Sequence, residues 1–170
     1  MSEEERPIYS FGVLTLSDKG ARGEREDTSG PMLQELLREA GFSLAAYAVI
    51  PDQPHLIEDT LKAWVDVEGI DLIVTTGGTG VAPTDHTPEA TRRVVDREVP
   101  GLSEAMRQAS LAKTPQAVWS RGVAGIRGRS LIINLPGSRR AALENISAVL
   151  PALEHGLYKL KGGTADCGRE

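Results

Sequence analysis

The chain alternates short apolar runs, of strand length, with stretches whose apolar residues recur at three and four, the helical period. Residues 8–16 form the first run and stop at Ser17-Asp18. Residues 19–26 are charged and carry no apolar period, which predicts a loop. Asp27-Thr28-Ser29 then reads as a cap. It opens a helix with Met32, Leu33, Leu36, Leu37 and Ala40 on one stripe, closed by Gly41. A second strand over 42–50 is stopped by Pro51-Asp52. Pro54 starts a helix carrying Leu56, Ile57, Leu61, Trp64 and Val65, and its stripe assigns Trp64 to the core.

The run at 70–75 leads into Thr75-Thr76-Gly77-Gly78-Thr79-Gly80, with Pro83-Thr84-Asp85 just behind. Thr87-Pro88-Glu89 supplies a capping hydroxyl, a proline at the first helical position and an early carboxylate, so a helix is expected to about Val95. Another is expected from Leu102 to about Leu111. Residues 112–122 read as irregular; Trp119 there faces either a ligand or a partner. Two short strands are expected about Arg127-Gly128, the second more apolar and central. Leu135-Pro136-Gly137-Ser138 then leads into a helix capped by Ser138. Pro151 reads as the start of a separate last helix, and residues 162–170 as a frayed tail.

Strand alternating with helix implies right-handed crossovers, hence an α/β fold with a mostly parallel, doubly wound sheet and helices on both faces. No repeat or linker divides the chain, so a single domain is expected, with its core over about 8–160. Ligands of such sheets bind beyond the carboxyl ends of the strands. Here those ends carry Ser17-Asp18, Pro51-Asp52, the glycine-rich turn with Asp85, and Asn134 with Gly137-Ser138.

Composition narrows the classes. The chain has 170 residues, a net charge of −5 and 25% charged residues, so a broad nucleic-acid or anionic-membrane surface is not expected. No run reaches the length of a membrane span. The acidic start, Met1-Ser2-Glu3-Glu4-Glu5, is not followed by the apolar stretch of a secretory signal. The single cysteine, Cys167, leaves no intrachain disulfide, and a reducing, cytoplasmic setting is expected.

The glycine-rich turn joins a strand end to a helix start, where backbone N–H groups can face an oxyanion. It is not a Walker loop, since no lysine follows its last glycine. Asp18, Asp52 and Asp85 repel phosphate unless a cation such as Mg²⁺ lies between them. Helix capping is the alternative for Asp52 and Asp85, as it is for Ser138. His55, His86 and His155 lack metal-ligand spacing, and no Ser–His–Asp or Cys–His nucleophile can be assembled. Arg22, Arg25, Arg107, Arg121, Arg139 and Arg140 are candidate anion contacts.

Several of these segments together resemble the molybdopterin-binding MogA-like family, which includes the G domain of gephyrin. They are Gly12 to Asp18, Ile50-Pro51-Asp52, Thr75 to Gly80 with Pro83 to Ala90, Pro100-Gly101 with Ser103 to Met106, Ser120-Arg121, Gly125 to Gly128, and Asn134 to Ser138. The resemblance runs in order over about residues 8–160. It implies a three-layer α/β/α fold, a homotrimer, and molybdopterin adenylyltransferase activity in molybdenum cofactor biosynthesis. In that reaction AMP passes from Mg-ATP to the molybdopterin phosphate and pyrophosphate is released. By resemblance, Asp52 and Asp85 are the catalytic acids and hold Mg²⁺. Substrate contacts are expected from Ser17, Asp18, Thr76, Gly77, Gly78, Thr79, Gly80, Pro83, Asn134, Pro136, Gly137 and Ser138. A separate molybdenum-insertion protein is expected as partner. The MoaB-like sister branch shares the fold, and the alternative it carries is a non-catalytic molybdopterin-binding or carrier protein; Pro83 to Ala90 and Asn134 to Ser138 look more like the gephyrin side.

Overall fold

The computed structural model describes residues 6–164. Met1–Glu5, Cys167 and most of the expected tail lie outside the described residues. One six-stranded sheet, in the order β2-β1-β3-β6-β5-β4, organises the molecule. Strands β1 (Ser10–Leu16), β2 (Ser43–Ile50), β3 (Leu72–Thr76) and β6 (Ser130–Leu135) run parallel. β5 (Ala124–Arg127) and the two-residue β4 (Arg97–Glu98) add an antiparallel edge.

Alternation along β1 feeds two cores. Phe11 and Val13 face one side, packed by Leu33 and Leu37 of α2 (Ser29–Glu39), Met106 of α5 (Pro100–Leu111), and Ile146 and Leu157 of α6 (Arg139–Leu160). Leu14 and Leu16 face the other, packed by Ile57, Leu61 and Trp64 of α3 (Pro54–Asp66) and Val94 of α4 (Thr87–Val94). Trp64 is core, as its stripe indicates. Gly12 makes room for it, since a Cβ there would stand 2.8 Å from the indole ring. Helices therefore cover both faces, and the winding reverses at β1, between β2 and β3. That reversal opens a crevice at the carboxyl ends of β1 and β3.

Four local readings are corrected. Asp18–Ala21 is a short helix, α1, where a loop was expected; Ser17 caps it, its Oγ accepting the Gly20 N–H at 2.9 Å. His86, not Thr87, occupies the cap position of α4, while the Thr87 hydroxyl donates to the Gly77 carbonyl at 3.0 Å. Residues Pro115–Trp119 form a 3-10 turn within the irregular stretch. Finally, α6 runs unbroken for 22 residues with Pro151 inside it. Its buried stripe, Ala142, Ile146, Val149, Leu153 and Leu157, continues across the proline, so packing overrides one lost backbone bond. Among the described residues, no helix is long and apolar enough to cross a membrane.

Candidate active site

Two cavities open at the switch point and share a rim at Gly78 and Gly137. The first, of about 360 Å³, lies between the ends of β1 and β3 and the start of α2, and is lined by Ser17, Asp27, Ser29, Thr76 and Ser138. The second, of about 420 Å³, lies beneath the 3-10 turn, and is lined by Asp85, Arg107, Trp119, Pro136 and Asn145.

The glycine-rich turn forms the rim because its backbone crosses crowded ground. Gly77 and Gly78 have φ of 105° and 67°, which disfavour a side chain. A Cβ on Gly77 would meet the Leu16 carbonyl, and one on Gly78 the Asp52 carboxylate and the Thr87 hydroxyl. Gly137 approaches equally closely: its Cβ would lie 3.3 Å from the Gly77 Cα. The Gly77 N–H is spent on the Leu135 carbonyl at 3.1 Å, whereas the N–H groups of Gly78, Thr79 and Gly80 have no partner among the described residues. Three successive free donors at a helix approach suit an oxyanion.

Arg121 fixes the shape of this turn. Its guanidinium donates to the Gly80 carbonyl at 2.6 Å and the Asp85 carbonyl at 3.0 Å, and pairs with Glu89. Its backbone N–H donates to the Thr79 carbonyl. Burial raises the Glu89 carboxyl, but the Arg121 hydrogen bond, a backbone hydrogen bond and the charges of Arg121 and Arg92 together outweigh it and leave the net shift downward. Arg121 is thus a clamp for the loop, rather than the free anion contact expected. Arg22 and Arg140 are likewise engaged, with Glu24 and Glu144.

The acids do converge. Asp18 Oδ1 accepts the Asp52 N–H at 3.0 Å, and Asp52 Oδ1 accepts the His86 N–H at 3.2 Å. Asp85 Oδ2 accepts the Ala82 N–H at 3.0 Å. Burial pushes the Asp52 carboxyl up to about 6; the His86 contacts oppose that rise, and the charges of Asp85 and Asp18 add to it. Among the described residues no cluster of three or more His, Cys, Asp or Glu side chains could cage a metal. A Mg²⁺ that keeps its waters and takes one or two carboxylates with substrate phosphates asks for less, and Asp52 and Asp85 fit it.

Ser17, Thr76, Gly77, Gly78, Gly137 and Ser138 line the first cavity, and Gly78, Thr79, Gly80, Pro136 and Gly137 the second. Asp18 stands behind the rim, bonded to the Asp52 backbone, and Pro83 is exposed beside Asp85. Ser138 Oγ accepts the Ala141 N–H at 3.3 Å, so it caps α6 while remaining at the cavity wall. Asn134 is the exception. It is 2% exposed and fully bonded, donating to the Thr75 and Thr91 hydroxyls at 3.0 Å each and accepting the Val123 N–H at 3.2 Å. Its side chain is committed to the scaffold, and it lines neither cavity.

From the sequence Asp27 reads as a cap, at the end of a loop long enough to touch ligand. It does accept the Gly30 N–H, but it also accepts from Thr15 Oγ1 at 2.7 Å and Tyr47 OH at 2.5 Å. Burial and this carboxylate hold the Tyr47 phenol protonated, well above its usual range. Asp27 therefore joins β1, β2 and α2 at the wall of the first cavity. The only trace of this in the sequence was an acid before a helix. Trp119 lines the second cavity and is 60% exposed.

A protein-family profile described as "Probable molybdopterin binding domain" matches residues 12–155. The chain is 45% identical over 147 residues to a molybdopterin adenylyltransferase of Helicobacter pylori (strain J99 / ATCC 700824), covering 85% of this chain and 84% of that protein. It is 44% identical over 150 residues to the molybdenum cofactor synthesis protein cinnamon of Drosophila melanogaster. That match covers 86% of this chain but spans only 25% of cinnamon. Among solved structures, the molybdopterin biosynthesis enzyme MoaB of Thermus thermophilus superposes with a TM-score of 0.87 at 55% identity, covering 91% of this chain and 98% of that one.

Proposed function

The chain belongs to the molybdopterin-binding domain family, and from that premise we propose that it is a molybdopterin adenylyltransferase whose two substrates meet across the Gly78–Gly137 rim. The reaction moves AMP from ATP to the phosphate of molybdopterin: a phosphate oxygen of molybdopterin bonds to the α-phosphorus as the bond to pyrophosphate breaks. The observation that carries this reading is the pair of cavities sharing one rim of unpartnered N–H donors. Two substrates need two rooms with a common wall, and the shared wall is where charge develops.

Such a transfer asks the protein for positioning and charge stabilisation, not for a nucleophile. The free N–H groups of Gly78, Thr79 and Gly80 donate to phosphate oxygens at the rim. Ser138 and the first turn of α6 present further donors on the opposite side. Trp119 and Pro136 give the second cavity apolar walls suited to a flat ring. Arg121 keeps the loop in shape before substrate arrives. Asp52 and Asp85 would hold Mg²⁺, which would offset the charge of the triphosphate when bound.

The proposal extends to a homotrimer working in the cytoplasm, with the described fold as one catalytic domain and a separate protein inserting molybdenum. Purified protein given molybdopterin and Mg-ATP should release pyrophosphate in proportion to molybdopterin. Tight pterin binding without release would make it a carrier.

A further inference from the structure

The first turn of α2 reaches across the crevice and holds its opposite wall. Ser29 is buried, and its hydroxyl donates to the Gly137 carbonyl at 2.9 Å, across 108 positions of sequence. From the end of β3, the buried Thr76 hydroxyl donates to the adjacent Pro136 carbonyl at 2.7 Å. Two hydroxyls from two elements thus fasten successive carbonyls of the loop between β6 and α6. Little else does. Neither Pro136 nor Gly137 makes a backbone–backbone hydrogen bond among the described residues.

The anchor itself is braced. Asp27 Oδ1 accepts the Gly30 N–H at 3.0 Å, while Oδ2 accepts the Thr15 and Tyr47 hydroxyls, so the start of α2 is tied to β1 and β2. What it holds in place is the shared rim. Gly137 lines both cavities and packs against Gly77, the first glycine of the glycine-rich turn. Ser29 has one hydroxyl proton and spends it on Gly137, so it acts on the rim through that loop rather than as a donor to substrate.

We propose that Ser29, seconded by Thr76, is a positioning residue for the transfer: its hydroxyl holds Gly137 against Gly77 and so sets how the two substrates face each other across the rim. The inference rests on the transferase reading. Attack of the molybdopterin phosphate oxygen on the α-phosphorus needs the two in line, and a displacement of about 1 Å costs up to about a hundredfold in rate. Each substrate keeps the contacts of its own cavity when the rim loosens, so the loss falls on kcat and spares KM.

Wild type, Ser29→Ala and Thr76→Val are compared in two measurements, with melting curves to establish that each protein is folded. The first is amide hydrogen exchange of the substrate-free protein over residues 135–142 and at Gly77, whose N–H is bonded to the Leu135 carbonyl. The second is pyrophosphate release with Mg-ATP and molybdopterin. Both substitutions should speed exchange in this segment severalfold and lower kcat by about tenfold, with KM for either substrate within about twofold of wild type. Unchanged exchange in both variants overturns the tether. Faster exchange with wild-type kcat makes the two hydroxyls structural only, and a raised KM at wild-type kcat makes them substrate contacts; either result overturns the positioning role. A wild type that releases no pyrophosphate fails the transferase reading instead, and takes the positioning role with it. An active wild type matched in rate by both variants fails only the inference drawn from Ser29.

Discussion

A half-buried carboxylate crowded by two others destabilises the fold that carries it. The folded-state value for Asp52, about 6, lies above the ordinary 3.8. The folded protein therefore holds the proton more tightly than the unfolded chain. The penalty is absent below pH 3.8, grows as the pH rises towards 6 and is complete above it. Asp52→Asn should raise stability at neutral pH in chelator by on the order of 1 kcal/mol, since solvent screens a group this exposed. The gain should vanish near pH 4, as melting curves at the two pH values will show. The same substitution should lower turnover by about a hundredfold or more. Asp85→Asn should likewise cut turnover far more than pterin affinity; equal losses in kcat and in the pterin dissociation constant would assign Asp85 to binding. For Asn134 the expectation is reversed. Asn134→Ala strands two buried hydroxyls and the Val123 N–H, so about 2–3 kcal/mol of stability should go while KM stays unchanged. Intact stability with a raised KM would return Asn134 to the ligand.

At the scale of elements, the apolar period located the strands and helices because each buries one face against the sheet or its covering layers. It was misleading wherever a local signal met tertiary packing. Pro151 carries the mark of a helix start, yet the stripe from Ala142 to Leu157 is continuous, and burial decided the matter. Pro151 is exposed and leaves one backbone carbonyl of α6 without its usual donor, so Pro151→Ala should stabilise the protein by about 1–3 kcal/mol. A loss of stability would mean that the bend at the proline is needed for packing. α1 and β4 were illegible because neither has an apolar face: α1 buries no residue and both residues of β4 are exposed. The glycine-rich turn was legible as the join between β3 and α4, but its fastening was not. Arg121 reaches it from 36 to 41 residues away in sequence, a distance over which composition carries no sign. Arg121→Ala should therefore lower kcat by about tenfold or more while the global melting temperature moves little.

At the scale of the molecule, four parallel strands end on one edge, and the winding reversal beside β1 leaves room there for two cavities with a shared rim. The convergence of Asp18, Asp52, Asp85 and the glycine turn could be read from strand order alone, because parallel strands deliver all their carboxyl ends to one side. The division of that space into two rooms could not, because Trp119 reaches it from a segment without a distinctive pattern, and the close approach of Gly137 to Gly77 joins segments far apart in sequence. The division gives the proposed transferase one room for each substrate. The most direct test is pyrophosphate release by the purified protein with Mg-ATP, measured with molybdopterin present and absent. A transferase with a shared rim releases pyrophosphate only when molybdopterin is added, and in equal amount to the adenylylated product. Release at the blank rate, despite saturable binding of molybdopterin, would contradict it.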